Sequence, residues 1–131
     1  MSQTGQETEI FFEKARVRLP RDIRILAYDY VLDYLPEEEC QSRRVLGDTD
    51  IDETRIRLRA SMPRSKLREV LMHEVLHALW DAMNLNESLM GKQLDSDEIP
   101  INGLTVGLLV FQRDNPKLCE FLFPTPGSHL S

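Results

Sequence analysis

The sequence predicts a small α+β domain: an antiparallel or mixed sheet of three to four short strands, then a long helix, then a second helix packed against it. Three observations carry this expectation. β-Branched and aromatic residues dominate the runs Ile23–Tyr28 and Tyr30–Leu35, and Arg55–Ala60 alternates between arginine and apolar residues. Between Leu67 and Ala82, apolar residues at 67, 70, 71, 75, 78, 79 and 82 follow a helical period. After a polar connection, a second stripe (Ile101, Leu104, Leu108) repeats every three to four residues.

Taken in order, residues 1–9 are polar and read as a loose leader. Arg16–Leu19 alternates until Pro20 interrupts it, and the two strand runs follow. Residues 36–50 read as loop-like, with Pro36 at one end and Gly47-Asp48-Thr49-Asp50 at the other. The Glu37-Glu38-Glu39 run is either a solvated stretch or the first turn of a short helix after Pro36. Ser61, two residues ahead of Pro63, marks the start of the first long helix, which is expected to reach about Met83. Asn84–Ser96 is a connection, and a second helix is expected from Asp97 to Arg113 with Pro100 in its first turn. There Gly103 and Gly107 would permit close packing of helices. Asp114-Asn115-Pro116 ends that helix, Lys117–Phe123 forms a short last one, and 124–131 is a tail. All of 1–131 is expected to form one domain, without repeats.

A chain of 131 residues and 15.2 kDa, 41% hydrophobic and 29% charged, is too apolar to be disordered and large enough to fold without disulfides. Its net charge of −6 argues against nucleic acid as the main partner, because phosphate binding calls for a basic excess. All of the negative surplus falls in residues 69–131. Two cysteines, Cys40 and Cys119, are expected to be reduced thiols. No basic segment followed by an apolar core opens the sequence, and no apolar run approaches the roughly 18 residues of a membrane span. A cytoplasmic protein without membrane contact is the expectation.

Within the first long helix stands His73-Glu74-Val75-Leu76-His77, an H-E-x-x-H motif. Residues four apart share a helical face, so His73 and His77 can present ring nitrogens to one metal ion, each about 2 Å away. Glu74 flanks the same place without having to ligate, where it can act as general base on a metal-bound water. Zinc suits such a donor set because it takes nitrogen and oxygen ligands tetrahedrally and leaves a position for water. The alternative is a pair of surface histidines associated with Glu74.

A catalytic zinc normally takes three protein ligands. His129 lies in the Pro/Gly tail, a poor support for a ligand. The start of the second helix offers Asp95, Asp97 and Glu98. Glu98 heads the Ile101, Leu104, Leu108 stripe and should face the metal helix, whereas Asp95 and Asp97 read as ordinary helix N-terminal acids. Asn102, one turn on, is either a solvated amide or a hydrogen-bond partner for a ligand histidine.

In this order of elements the chain resembles the small gluzincin-type metallopeptidases of the ImmA/IrrE-like group, and is especially similar to minimal versions found in phages and prophages. The likeness rests on Gly47-Asp48 and Arg55–Leu58 ahead of the motif, and on Leu71–Leu79 as its core. Beyond the motif it rests on Glu98, Ile101, Leu104, Gly107 and Leu108, and on Arg113-Asp114-Asn115-Pro116 with Leu118, so that it spans about residues 22–123. It implies a zinc ion held by His73, His77 and Glu98, Glu74 as general base, and a peptide or protein as substrate. Pro100 departs from the pattern of that helix. Tyr28, Tyr30, Tyr34 and Arg113 are the candidates for stabilising an oxyanion, with packing as the alternative for each.

Arg55, Arg57 and Arg59 share one strand face. They either meet an acidic peptide beside the cleft or form a solvated outer face paired with Glu37–Glu39 or Asp48–Glu53. The function expected is hydrolysis of a peptide bond by Glu-activated, zinc-bound water. Two alternatives are a non-proteolytic zinc-binding phage or prophage interaction module and a small regulator that binds no metal.

Overall fold

Strand formation starts earlier in the chain than its composition suggests. In the computed structural model, which describes residues 8–83 and 98–126 (at 98–100 and 102 for the backbone alone), Glu9 already belongs to β1 (Glu9–Phe12). β1 pairs antiparallel with β2 (Val17–Pro20) as a separate two-stranded sheet. The hairpin forms because Ile10, Phe12 and Leu19 share one face, which is buried, while Glu9, Phe11 and Arg18 stay exposed on the other. Its turn is closed by Arg16, whose φ of 54° lies in the left-handed region. The loose leader therefore ends before residue 9.

The main sheet has the order β3-β4-β6-β5, built from β3 (Asp22–Ile25), β4 (Tyr28–Leu35), β5 (Gly47–Asp50) and β6 (Arg55–Arg59). β3 and β4 form a hairpin around Leu26-Ala27, so the expected strand through Tyr28 is cut by a turn with Leu26 at φ 56°. β4 and β6 run parallel, and β5 joins β6 antiparallel at the edge, making the sheet mixed. Two elements occupy the stretch 36–50 that reads as loop. The glutamate run opens α1 (Glu37–Arg43), where acidic residues in the first turn suit the helix N-terminus, and Gly47–Asp50 is β5.

Ile23, Ile25, Tyr30, Leu32, Ile56 and Leu58 form the inner face of this sheet, and α2 (Arg64–Ala82) packs across it. Pro63 stands at the N-cap of α2, where a missing N–H costs nothing. Its buried stripe (Leu67, Val70, Leu71, Val75, Ala78, Leu79) matches the sequence period, and each leucine or valine in it contributes roughly 1.5–3 kcal/mol by leaving water. α3 (Glu98–Asp114) lies against α2, where Gly107 meets Met83 and Leu79 so closely that a Cβ would lie 2.6 Å from the Met83 sulfur. Phe111 and the buried side chains of α4 (Pro116–Leu122) complete the core. Arg68 ties α4 to α2 by donating from Nε to the Phe121 carbonyl at 2.7 Å.

On the outer face, the strand arginines are all paired with carboxylates. Arg57 donates to both oxygens of Asp48, from Nη2 at 2.7 Å and Nε at 3.1 Å, and lies 3.3 Å from Glu39. Arg59 meets Glu37 at 2.9 Å, and Arg55 stands 3.8 Å from Asp33. This is the solvated-face alternative, turned away from α2. Among the described residues no helix is long and apolar enough to cross a membrane.

Candidate metal centre

Helical spacing places His73 and His77 one turn apart on the exposed margin of α2, beside its buried stripe. Their rings meet edge to face with centroids 4.6 Å apart, and the two Nε2 atoms stand 3.0 Å apart. Two imidazoles sharing one tetrahedral zinc at about 2.05 Å hold their nitrogens roughly 3.3 Å apart. The observed separation is a few tenths of an ångström shorter than that, and is also a hydrogen-bond distance between the two ring nitrogens.

Glu74 is different from its neighbours. It is only 6% exposed, one of two buried polar residues in the described chain. A carboxylate drawn into an apolar stripe needs a hydrogen bond, and β5 supplies it. The Thr49 hydroxyl donates to Glu74 Oε1 at 2.7 Å and lies 3.2 Å from the Glu74 backbone carbonyl. The partnership depends on the pleat of β5, since Gly47 and Thr49 face α2 while Asp48 and Asp50 face outward. It depends also on Gly47. A Cβ there would come within 3.0 Å of the Arg57 carbonyl, Leu58 Cδ2 and Val70 Cγ1, so glycine lets the strand lie close on the helix.

A cleft of about 450 Å³ opens over this arrangement, lined by Thr49, Ile51, His73, Glu74, His77 and Trp80 among others. A second hollow of about 290 Å³ continues past His73 and Glu74 toward Val45, Leu46 and Val70. The edge of β5 borders both. The Arg59 N–H donates to the Leu46 carbonyl at 2.9 Å, which sets the phase of the β5–β6 ladder. Asp48 and Asp50 therefore turn their backbone groups to β6, and Gly47 and Thr49 turn theirs outward. Among the described residues those outward groups have no backbone partner.

Of the residues singled out from sequence, His73, Glu74 and His77 stand together at this cleft. Glu98 opens α3, the helix packed against α2, but its side chain and that of Asn102 lie outside what is described, as do Asp95, Asp97 and His129 altogether. Among the described residues no three His, Cys, Asp or Glu side chains are grouped to hold an ion. None of the four oxyanion candidates lines the cleft. Tyr30 is 2% exposed in the core, where burial and then the charge of Asp81 push its phenol above the usual range. Tyr34 donates to the Phe11 carbonyl, Tyr28 is exposed, and Arg113 pairs with Asp114.

The cleft contributions that sequence reasoning missed are Thr49, Gly47, Ile51, Trp80 and Asp81. A signal for the first two exists: in Gly47-Asp48-Thr49-Asp50 small and acidic residues alternate with period two, inside a composition that reads as a turn. No protein-family model, no curated protein and no solved structure matches the chain.

Proposed function

We propose that the chain is a zinc-dependent metallopeptidase-like protein of zincin-like fold that hydrolyses a peptide bond in the cytoplasm, with the ion held by His73, His77 and Glu98. One observation carries the reading: two histidines with Nε2 atoms 3.0 Å apart stand beside a buried glutamate at the free edge of a strand. The H-E-x-x-H motif and the resemblance to the ImmA/IrrE-like group support it from sequence, and two buried free thiols accord with a reducing compartment.

Zinc bound there would supply Lewis acidity, lowering the pKa of water and polarising a carbonyl. The chain's own groups do the rest. The outward N–H and C=O groups of Gly47 and Thr49 accept an extended segment as an added strand, bringing its backbone alongside His73 and Glu74. Glu74 removes the proton from the attacking water as the oxygen joins the carbonyl carbon. When the C–N bond breaks, Glu74 returns that proton to the leaving amine nitrogen. Thr49 holds Oε1 of Glu74, which fixes the plane of the carboxylate and leaves Oε2 for the water.

Metal content and cleavage test this together. Purified protein should contain one zinc per chain, and His73→Ala or Glu98→Ala should lose most of it. Glu74→Gln should keep the zinc and cut peptide hydrolysis by about 10²–10⁴-fold, the usual worth of a general base. Full activity in Glu74→Gln, or no zinc after growth in zinc-replete medium, would sink the reading. A second reading, a zinc-bound interaction protein without proteolysis, is favoured by the absence of Tyr28, Tyr30, Tyr34 and Arg113 from the cleft lining. It predicts zinc-loaded protein that cleaves nothing in a broad peptide library.

A further inference from the structure

β5 and the second half of α2 advance side by side. Gly47 lies against Val70, Thr49 bonds to Glu74, and Ile51 shares the cleft with Trp80 and Asp81. A segment added along the outward groups of Gly47 and Thr49 therefore runs on past His77 toward Asp81. Asp81 stands one turn beyond His77 on the same helical face. That turn advances about 6 Å along the axis, which an extended chain covers in about two residues. Side chains of an extended chain alternate, so the one beside His77 and the one that reaches Asp81 share a face.

Four carboxylates line the histidine cleft and the hollow that continues it: Asp48, Glu69, Glu74 and Asp81. Three have partners. Asp48 is held by Arg57 and Arg43, Glu69 lies 3.5 Å from Lys66, and Glu74 accepts from Thr49. The Asp81 side chain is exposed and has neither a hydrogen bond nor an ion pair among the described residues. No lysine or arginine lines either hollow, and none occurs between Glu69 and Ala82 on α2. The field is thus negative where an added segment leaves the histidines.

Beside this carboxylate the cleft has two apolar walls, half-buried Trp80 and exposed Ile51. A long basic side chain uses all three groups. Its methylene stem lies on the apolar walls, its cationic head meets Asp81, and an indole face attracts a cation. An acidic side chain in the same place meets like charge, and an apolar one gains nothing from the carboxylate. Resting on the reading of the cleft as a peptide site, we infer that Ile51, Trp80 and Asp81 select a lysine or arginine side chain about two residues from the position beside His77. The substrate class is a basic, extended peptide segment, and Asp81 is its specificity determinant.

Trp80 is the only tryptophan in the sequence, so its emission reports occupancy of this end of the cleft. The probe is a capped octapeptide of threonine and alanine whose central residue is lysine, norleucine or glutamate. It is titrated into the full chain and into Glu74→Gln, in which it stays uncut. The lysine peptide should give a saturable change, the norleucine peptide should bind about tenfold more weakly, and the glutamate peptide more weakly still. Asp81→Asn, at an exposed position, should abolish the preference for lysine and leave affinity for norleucine within about twofold. Asp81→Lys should favour the glutamate peptide, and salt should weaken the lysine peptide more than the norleucine one. Equal affinity for the three peptides, a lysine preference that persists in Asp81→Asn, or no saturable change at millimolar peptide would each overturn the assignment. Lysine-selective binding by a chain that cleaves nothing would uphold it and sink the peptidase reading alone.

Discussion

The two edges of the main sheet are finished in opposite ways. At β3 a side chain closes the edge at Arg24: Asn115 accepts from the Arg24 N–H at 2.8 Å and donates to the Arg24 carbonyl at 2.7 Å, as a neighbouring strand would. At β5 the outward groups of Gly47 and Thr49 have no backbone partner among the described residues, and the cleft with His73, Glu74 and His77 lies beside them. Unpaired strand edges invite association, and proteins ordinarily blunt them. One edge is thus capped by a buried amide and the other lies open beside two histidines, and the function proposed above would make the open edge the working one.

Breaking the sealed edge should have the largest effect on stability. Asn115 also donates to the Phe111 carbonyl at 2.9 Å, so its amide serves three backbone groups where α3, α4 and β3 meet. Asn115→Leu leaves the Arg24 N–H and carbonyl unsatisfied in a place that is 8% exposed, while the Phe111 carbonyl keeps the backbone N–H of residue 115 at 2.9 Å. A loss of about 2–4 kcal/mol is expected from the urea midpoint at constant m-value, and a concentration-dependent rise in dimer from the opened β3 edge. Asn115→Asp, which keeps the acceptor for the Arg24 N–H and loses both donors, should fall between the two. A loss under about 0.5 kcal/mol in Asn115→Leu would mean that Asn115 does not close the edge.

This contrast was only half legible in the sequence. The long helices were readable because α2 repeats its apolar residues through more than four turns, and the H-E-x-x-H spacing announces two histidines on one face wherever a helix forms. β6 was readable because arginine alternates with Ile56 and Leu58. What failed were elements whose local composition points one way and whose tertiary partners point the other. β5 is Gly-Asp-Thr-Asp, four residues poor in strand propensity, and it is a strand because β6 and α2 take its two faces. Asn115 reads as a helix breaker before Pro116, and its local role is that; its bond to Arg24 spans 91 positions and leaves no local trace. The sequence thus named His73, Glu74 and His77 and missed both Asp81, which lines the same cleft, and the strand that positions Glu74.

Gly47→Ala sharpens the comparison at the open edge. The added methyl meets two side-chain atoms that can move aside, but also the Arg57 carbonyl at 3.0 Å, which belongs to the ladder and cannot. β5 must then shift relative to β6 and α2, at a cost of about 1–2 kcal/mol. The expected signature is local: faster amide exchange at Asp48 and Asp50, whose N–H groups bond to β6, with the β3–β4 hairpin unaffected. Uniform acceleration through the sheet would show that β5 is not an independently yielding edge.

The smallest effect separates the two faces of β5 itself. Thr49 faces the cleft, whereas Asp48 faces Arg57 and Arg43, at 2.7 Å and 2.8 Å. Burial alone would raise the Asp48 carboxyl, but the hydrogen bonds and charges of these arginines hold it below the ordinary carboxylate range. The unfolded chain then binds more protons than the folded one at acid pH. The stabilisation is fully present above about pH 5, begins to fall near the unfolded value of about 4, and disappears as pH drops through the depressed folded value. Asp48→Asn should therefore cost about 1 kcal/mol at pH 7 and progressively less below pH 4, so that its urea midpoint converges with that of the parent in acid. Hydrogen bonding of Thr49 to Glu74, followed by exchange or a structure of the variant, should not change. A pH-independent gap would mean that the Asp48–arginine cluster is held by geometry rather than by charge. Disturbance of Glu74 would mean that the two faces of β5 are coupled, and that the outer ion pairs help set the position of the cleft carboxylate.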